Sequence, residues 1–175
     1  MALLAGMEGF VGGMLHPLVA PAHVIALIGL GLVASRDVLS AQVRIIAAFA
    51  SGLAGGLGAI AWGAGETPAN DVLVAVAALC GLVAASGLSA SAWLVAPLAL
   101  LSGAAVGLDS PPEVISLREA VLMLIGTACG SIALLAAAGA AASALSRLWH
   151  GIGTRVAGSW IAAIAILVLA LRWAP

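Results

Sequence analysis

Between Asp71 and Asp109 the chain carries no charged side chain, and the same is true between Glu8 and Arg36, Arg44 and Glu66, and Glu119 and Arg147. A stretch of 18 or more uncharged apolar residues is long enough, as a helix, to cross a hydrocarbon core of roughly 30 Å. Soluble domains instead interleave apolar and charged positions, with about a quarter of their residues charged. Here only 7% of the 175 residues are charged and 64% are hydrophobic. The polar surface needed to solvate a globule is missing, so the chain is read as an integral membrane protein. Within lipid every backbone N–H and C=O must be paired inside the protein, which leaves helices or a closed barrel. Barrel strands alternate polar and apolar residues, whereas Ile161-Ala162-Ala163-Ile164-Ala165-Ile166-Leu167 does not. Alanine and leucine are also good helix formers. The expected fold is all-α, a polytopic bundle of about six transmembrane helices in a single transmembrane domain.

Charged and turn-forming residues divide residues 1–175 into spans at about 8–34, 42–62, 72–86, 90–108, 119–146 and 154–173. The third and fourth are separated only by Ser86-Gly87-Leu88-Ser89-Ala90-Ser91. Arg36 and Arg44 fall in the first loop and Arg147 and Arg155 in the fifth. The even-numbered loops have only Arg118, and Arg172 ends the last span. Since cytoplasmic loops collect arginine and lysine, this pattern puts the odd-numbered loops inside and both termini outside. Glu8, Glu66, Asp71, Asp109, Glu113 and Glu119 then lie on the outer side, with Asp37 inside. Such an acidic face either concentrates cations at an outer mouth or simply solvates loop ends. Met1-Ala2-Leu3-Leu4 lacks the basic start of a cleavable signal, so the first span is expected to remain.

With no lysine and a net charge of −1, the chain has no basic surface for nucleic acid. The absence of a nucleophile–base pair, a phosphate-binding loop or a Cys-x-x-Cys motif argues against an enzyme and against ATP-driven transport by this chain alone. Cys80 and Cys129 fall in apolar runs and read as small buried hydrophobes. Trp62, Trp149 and Trp173 fall at span ends and read, with His150, as interfacial anchors. Glycines four apart at Gly9/Gly13, Gly52/Gly56, Gly103/Gly107 and Gly126/Gly130 allow close helix packing. The partners implied are the bilayer, a small solute, and a second copy or a larger membrane complex.

The most informative segment is Gly9-Phe10-Val11-Gly12-Gly13-Met14-Leu15-His16-Pro17-Leu18-Val19-Ala20-Pro21-Ala22-His23. Ionisable residues at membrane depth are disfavoured unless used, and imidazole is a ligand suited to nickel, zinc, copper and iron. In a straight helix His16 and His23 would stand about 10 Å apart along the axis, too far to share an ion. Pro17 and Pro21 each remove a backbone donor, so the helix is expected to break here. Unwound backbone at membrane depth is how many transporters line a substrate site. The alternative is that both histidines are interfacial or hydrogen-bonded between helices. Glu8, eight residues before His16, would add negative charge, and Met14 a soft thioether.

Gly9-Phe10, His16-Pro17 and His23, followed by the apolar run from Val24 to Leu32, resemble the HupE/UreJ family of hydrogenase- and urease-associated nickel permeases. That family's first motif reads His-Pro-x-x-Gly-x-Asp-His, and here Ala20 and Ala22 replace its glycine and aspartate. Its second motif, about Phe-His-Gly-x-Ala-His-Gly-x-Glu, corresponds to Leu101-Ser102-Gly103-Ala104-Ala105-Val106-Gly107-Leu108-Asp109. Both histidines are gone, and Asp109 stands at the acidic position. The resemblance implies a permease of the bacterial inner membrane carrying a transition-metal cation, nickel foremost, as substrate rather than cofactor. His16, His23 and Asp109 are its implied metal residues. The competing expectation is a non-transporting membrane subunit or scaffold that keeps the permease fold.

Overall fold

A computed structural model of the protein describes residues 2–35, 39–64, 68–88, 92–111 and 116–174. Arg36, Asp37, Glu66, Glu113 and Ser89-Ala90-Ser91 lie outside the described residues, as does the side chain of Glu8. Among the described residues seven helices follow one another: α1 (Ala2–Val19), α2 (Pro21–Ala34), α3 (Leu39–Ala61), α4 (Ala69–Ser86), α5 (Ala92–Leu108), α6 (Leu117–Leu148) and α7 (Ile152–Arg172). No strand occurs among the described residues. The expected all-α bundle is therefore present. Its first span is divided into α1 and α2, which meet at 72°.

Helices α3, α4, α6 and α7 are each long and apolar enough to cross a bilayer, and α1 and α2 reach that length only when taken together as one bent pair. With its 17 residues α5 extends about 25 Å, somewhat short of a full crossing. The separation between α4 and α5 falls at Gly87, which ends α4 in the left-handed conformation (φ 77°) that glycine adopts without a steric penalty. At the far end of α6, His150 and Gly151 both have positive φ and turn the chain into α7.

Three helix pairs account for most of the packing: α3 with α5, α1 with α6, and α4 with α7. The four glycine pairs expected to mediate close packing meet each other two by two. A methyl group at Gly13 would overlap the carbonyl of Met123, and one at Gly126 or Gly130 the carbonyl of Phe10 or Met14, so Gly9/Gly13 and Gly126/Gly130 form one interface. In the same way Gly52/Gly56 of α3 meet Gly103/Gly107 of α5. Without a hydrophobic force between helices in lipid, such backbone-to-backbone approach supplies the dispersion contacts that hold them together. Both pairs run parallel, since Gly9 faces Glu119 where Gly13 faces Met123. In contrast α4 and α7 are antiparallel, with Gly81 against Ala162 and Gly158 against Ala84. These directions follow from a chain that crosses the bundle alternately, with α1–α2 as one crossing.

The hydrophobic all-round segment α2 occupies the centre, packed on α4 and α6, with Ala26, Leu27 and Leu30 fully buried. Outward faces carry exposed apolar side chains, among them Leu18, Leu79, Leu100, Ile125 and Leu167, as a lipid-facing surface requires. Trp62, Trp149 and Trp173 follow the last turns of α3, α6 and α7. Cys80 is buried as expected, but Cys129 is exposed on α6. Position 129 falls on the outer face because Thr127 and Ser131, on the opposite side of α6, are the residues turned into the bundle.

Candidate functional site

The break between α1 and α2 lies at Ala20, whose φ of −89° and ψ of 107° are extended. A residue preceding proline is driven out of the helical region by the proline ring, and Pro21 then starts α2 at a position where its missing N–H is no loss. Pro17 stays within α1. The carbonyls of Gly13 and Pro17 lose their usual donors four residues on, because those donors would be Pro17 and Pro21. The two flanking hydrogen bonds, Ala20 N–H to His16 O and Val24 N–H to Ala20 O, are both 3.2 Å long.

The bend brings the two histidines together. Their ring centroids are 5.3 Å apart and the rings meet edge to face at 71°. His23 is completely buried, and its Nε2 lies 3.0 Å from Oδ2 of Asp109 at the end of α5. When Asp109 is ionised its oxygen can only accept, so Nε2 of His23 donates, and in the neutral imidazole Nδ1 then keeps its lone pair. Neither that Nδ1 nor Nε2 of His16 has a hydrogen-bond partner among the described residues, although both atoms are buried.

Asp109 is not isolated. Asn70, in the first turn of α4, donates its side-chain amide to the same Oδ2 at 3.5 Å, the outer limit of a hydrogen bond. The Asn70 carbonyl accepts from Arg172 Nη2 at 2.5 Å, and Arg172 Nη1 pairs with Asp71. A chain of polar groups thus runs from His16 through His23, Asp109 and Asn70 to Arg172 and Asp71, joining α1, α2, α5, α4 and α7. The carboxylate of Asp109 is 28% exposed, so the chain leads from a buried ring to the bundle surface.

Of the residues singled out in the sequence, His16, His23 and Asp109 are assembled at one place. Met14 is not with them. It lies 200° around α1 from His16, its backbone rests on Gly126 and Gly130, and its side chain is 40% exposed. Asn70 and Arg172 were not expected at the site, because nothing in a one-dimensional pattern shows that the starts of α4 and the end of α7 converge on Asp109. At the two positions where the second motif lacks histidine, Ser102 closes onto the carbonyl of Leu98 and Val106 is fully buried.

Two imidazoles, each with a buried ring nitrogen that has no hydrogen-bond partner among the described residues and one of them held by a carboxylate, form an arrangement that recurs around metal ions. Among the described residues no three His, Cys, Asp or Glu side chains are grouped to hold an ion. The arrangement therefore offers two nitrogens and a supporting carboxylate, not a closed cage. No curated protein and no solved structure matches this chain. The family model described as HupE / UreJ protein matches residues 2–168, nearly the whole chain, which therefore belongs to the HupE/UreJ family.

Proposed function

We propose that this protein is a permease for a divalent transition-metal cation, nickel foremost, working by secondary transport or facilitated diffusion. One observation carries the reading: a proline-induced break sets His16 and His23 5.3 Å apart with one unpartnered nitrogen each. Metal–imidazole bonds of roughly 2.1 Å set the centroids of two rings on one ion about 5 Å apart. Family membership supports metal transport in general, and imidazole donors favour nickel, cobalt, zinc or copper over magnesium or calcium.

The role of Asp109 follows from its position behind His23. The family aspartate absent at Ala22 would have lain beside the ligand in sequence, and here a carboxylate reaches the same imidazole from another helix. Hydrogen bonding from Nε2 fixes the tautomer that leaves Nδ1 free and raises its basicity. A two-nitrogen site is also suited to cargo, since conduction requires binding strong enough to admit an ion and weak enough to release it. Arg147 and Arg155 lie at the opposite end of the bundle from Asn70, Asp71 and Asp109, which supports an acidic entrance facing outward and cytoplasmic arginines, in the bacterial inner membrane that the family resemblance implies.

Nickel and cobalt uptake by cells expressing the wild type, His16→Ala/His23→Ala or Asp109→Asn tests this directly. The double variant should reach the membrane and lose uptake. Asp109→Asn should bind nickel about 10- to 100-fold more weakly, as removal of a carboxylate behind a ligating histidine generally does. If calorimetry on the purified wild type detects no binding of nickel, cobalt, zinc or copper, the permease reading fails and a scaffold role takes its place.

A further inference from the structure

Eight hydroxyl groups among the described residues follow one habit. Ser51, Ser102, Ser110 and Ser143 each donate to the carbonyl four residues back, at 2.7–2.8 Å. Ser35, Ser86, Thr154 and Ser159 donate three residues back. This local closure is the usual way a helix in lipid satisfies serine and threonine. Thr127 and Ser131 of α6 depart from it. Both are completely buried, and neither hydroxyl has a partner among the described residues. A buried polar group left unpaired is disfavoured and calls for an explanation.

Their position supplies one. Thr127 and Ser131 are four residues apart on one face of α6, directly after Gly126 and Gly130, whose opposite neighbours are Phe10 and Met14 of α1. Further along, Ala138 and Gly139 of α6 meet Gly31 of α2. The part of α6 from Gly130 to Ala138 therefore lies alongside the chain between Met14 and Gly31, which contains the break and both histidines. Ser131 is level with the last turn of α1, which carries His16, and Thr127 lies one turn toward the amino end of α1.

Resting on the permease reading, we infer that Thr127 and Ser131 form a hydroxyl station beside the histidine pair that holds water molecules of a partly hydrated divalent cation as it moves to and from the imidazoles. A hydroxyl both donates and accepts, so it can take the proton side of a metal-bound water and rotate as the ion passes. Valine at 127 or alanine at 131 would fill nearly the same space and withdraw that exchange of hydrogen bonds. The station therefore acts on the rate of dehydration, while the histidines set the affinity.

The test compares the wild type, Thr127→Val/Ser131→Ala and Thr127→Ser in proteoliposomes, reading nickel uptake, with nickel affinity measured by calorimetry on the same preparations. The hydroxyl-free variant should bind nickel like the wild type and transport it about tenfold more slowly, because water-bridged steps are lost. Thr127→Ser should retain the wild-type rate. Thr127→Val alone, nearly isosteric, carries the test if the double variant does not insert. Wild-type uptake by the hydroxyl-free variant, alongside loss of uptake in His16→Ala/His23→Ala, would overturn this inference and leave the permease reading standing. Absence of nickel binding and uptake in the wild type would overturn both.

Discussion

Replacing Gly107 by alanine should loosen the bundle and weaken the site in one step. A methyl group at that position would lie 2.7 Å from Leu57 N, 2.8 Å from Leu53 O and 2.9 Å from Gly56 C, where ordinary contact begins at 3.4 Å. All three atoms are backbone, so no side chain can swing aside, and α3 and α5 must separate by about 0.7 Å. Overpacking of this kind generally costs about 1–3 kcal/mol. Alanine returns roughly 0.5–1 kcal/mol through its better helix propensity. The expected net loss is thus centred near about 1 kcal/mol and at most about 2.5 kcal/mol. Asp109 follows Gly107 by two residues, whereas His23 is carried by α2, which does not share the displacement. A shift of that size would lengthen the 3.0 Å contact beyond hydrogen-bonding range and free the imidazole. Thermal unfolding in detergent micelles and nickel titration should then show lower stability and about tenfold weaker binding. Gly55→Ala on the same interface helix α3, where a methyl group meets nothing within 4 Å, is the control and should lose neither. Equal stability and equal nickel affinity for the two variants would refute the argument that backbone approach at Gly107 positions Asp109.

Pro21→Ala should let α1 run on into α2, carrying His16 and His23 back toward the roughly 10 Å axial spacing of a straight helix, and nickel binding should be lost. Retention of wild-type affinity by Pro21→Ala would show that the break is not what creates the pair. Reporter fusions after residues 38 and 150 should read as cytoplasmic and one after residue 67 as external, and a cytoplasmic carboxyl terminus would sink the proposed orientation.

What could be read along the chain was whatever depends on neighbours in sequence. Charge-free runs too long for a soluble core determined that the chain enters a bilayer, and the need to pair backbone groups there left helices as the form it takes. Pro21 determined that the first span breaks, because a missing donor and a ring clash act within one turn, whereas Pro17, equally visible in the sequence, stays inside α1. The glycine pairs were legible as close-packing surfaces, and the tertiary structure decided which met which: α1 with α6 and α3 with α5. The histidine pair was half legible. Its two members stood seven residues apart, but only the direction of the 72° bend decided that the rings would approach rather than diverge. Asp109 could be noted as an acidic remnant of a motif, yet its contact with His23 spans 86 positions. Asn70, Arg172, Thr127 and Ser131 carried no signal, because a polar residue near a helix end or within an apolar run looks the same whether it faces lipid, its own carbonyl or a neighbouring helix. That choice is made by helix packing, which depends on backbone approach over long sequence separations and has no periodicity for a linear reading to detect.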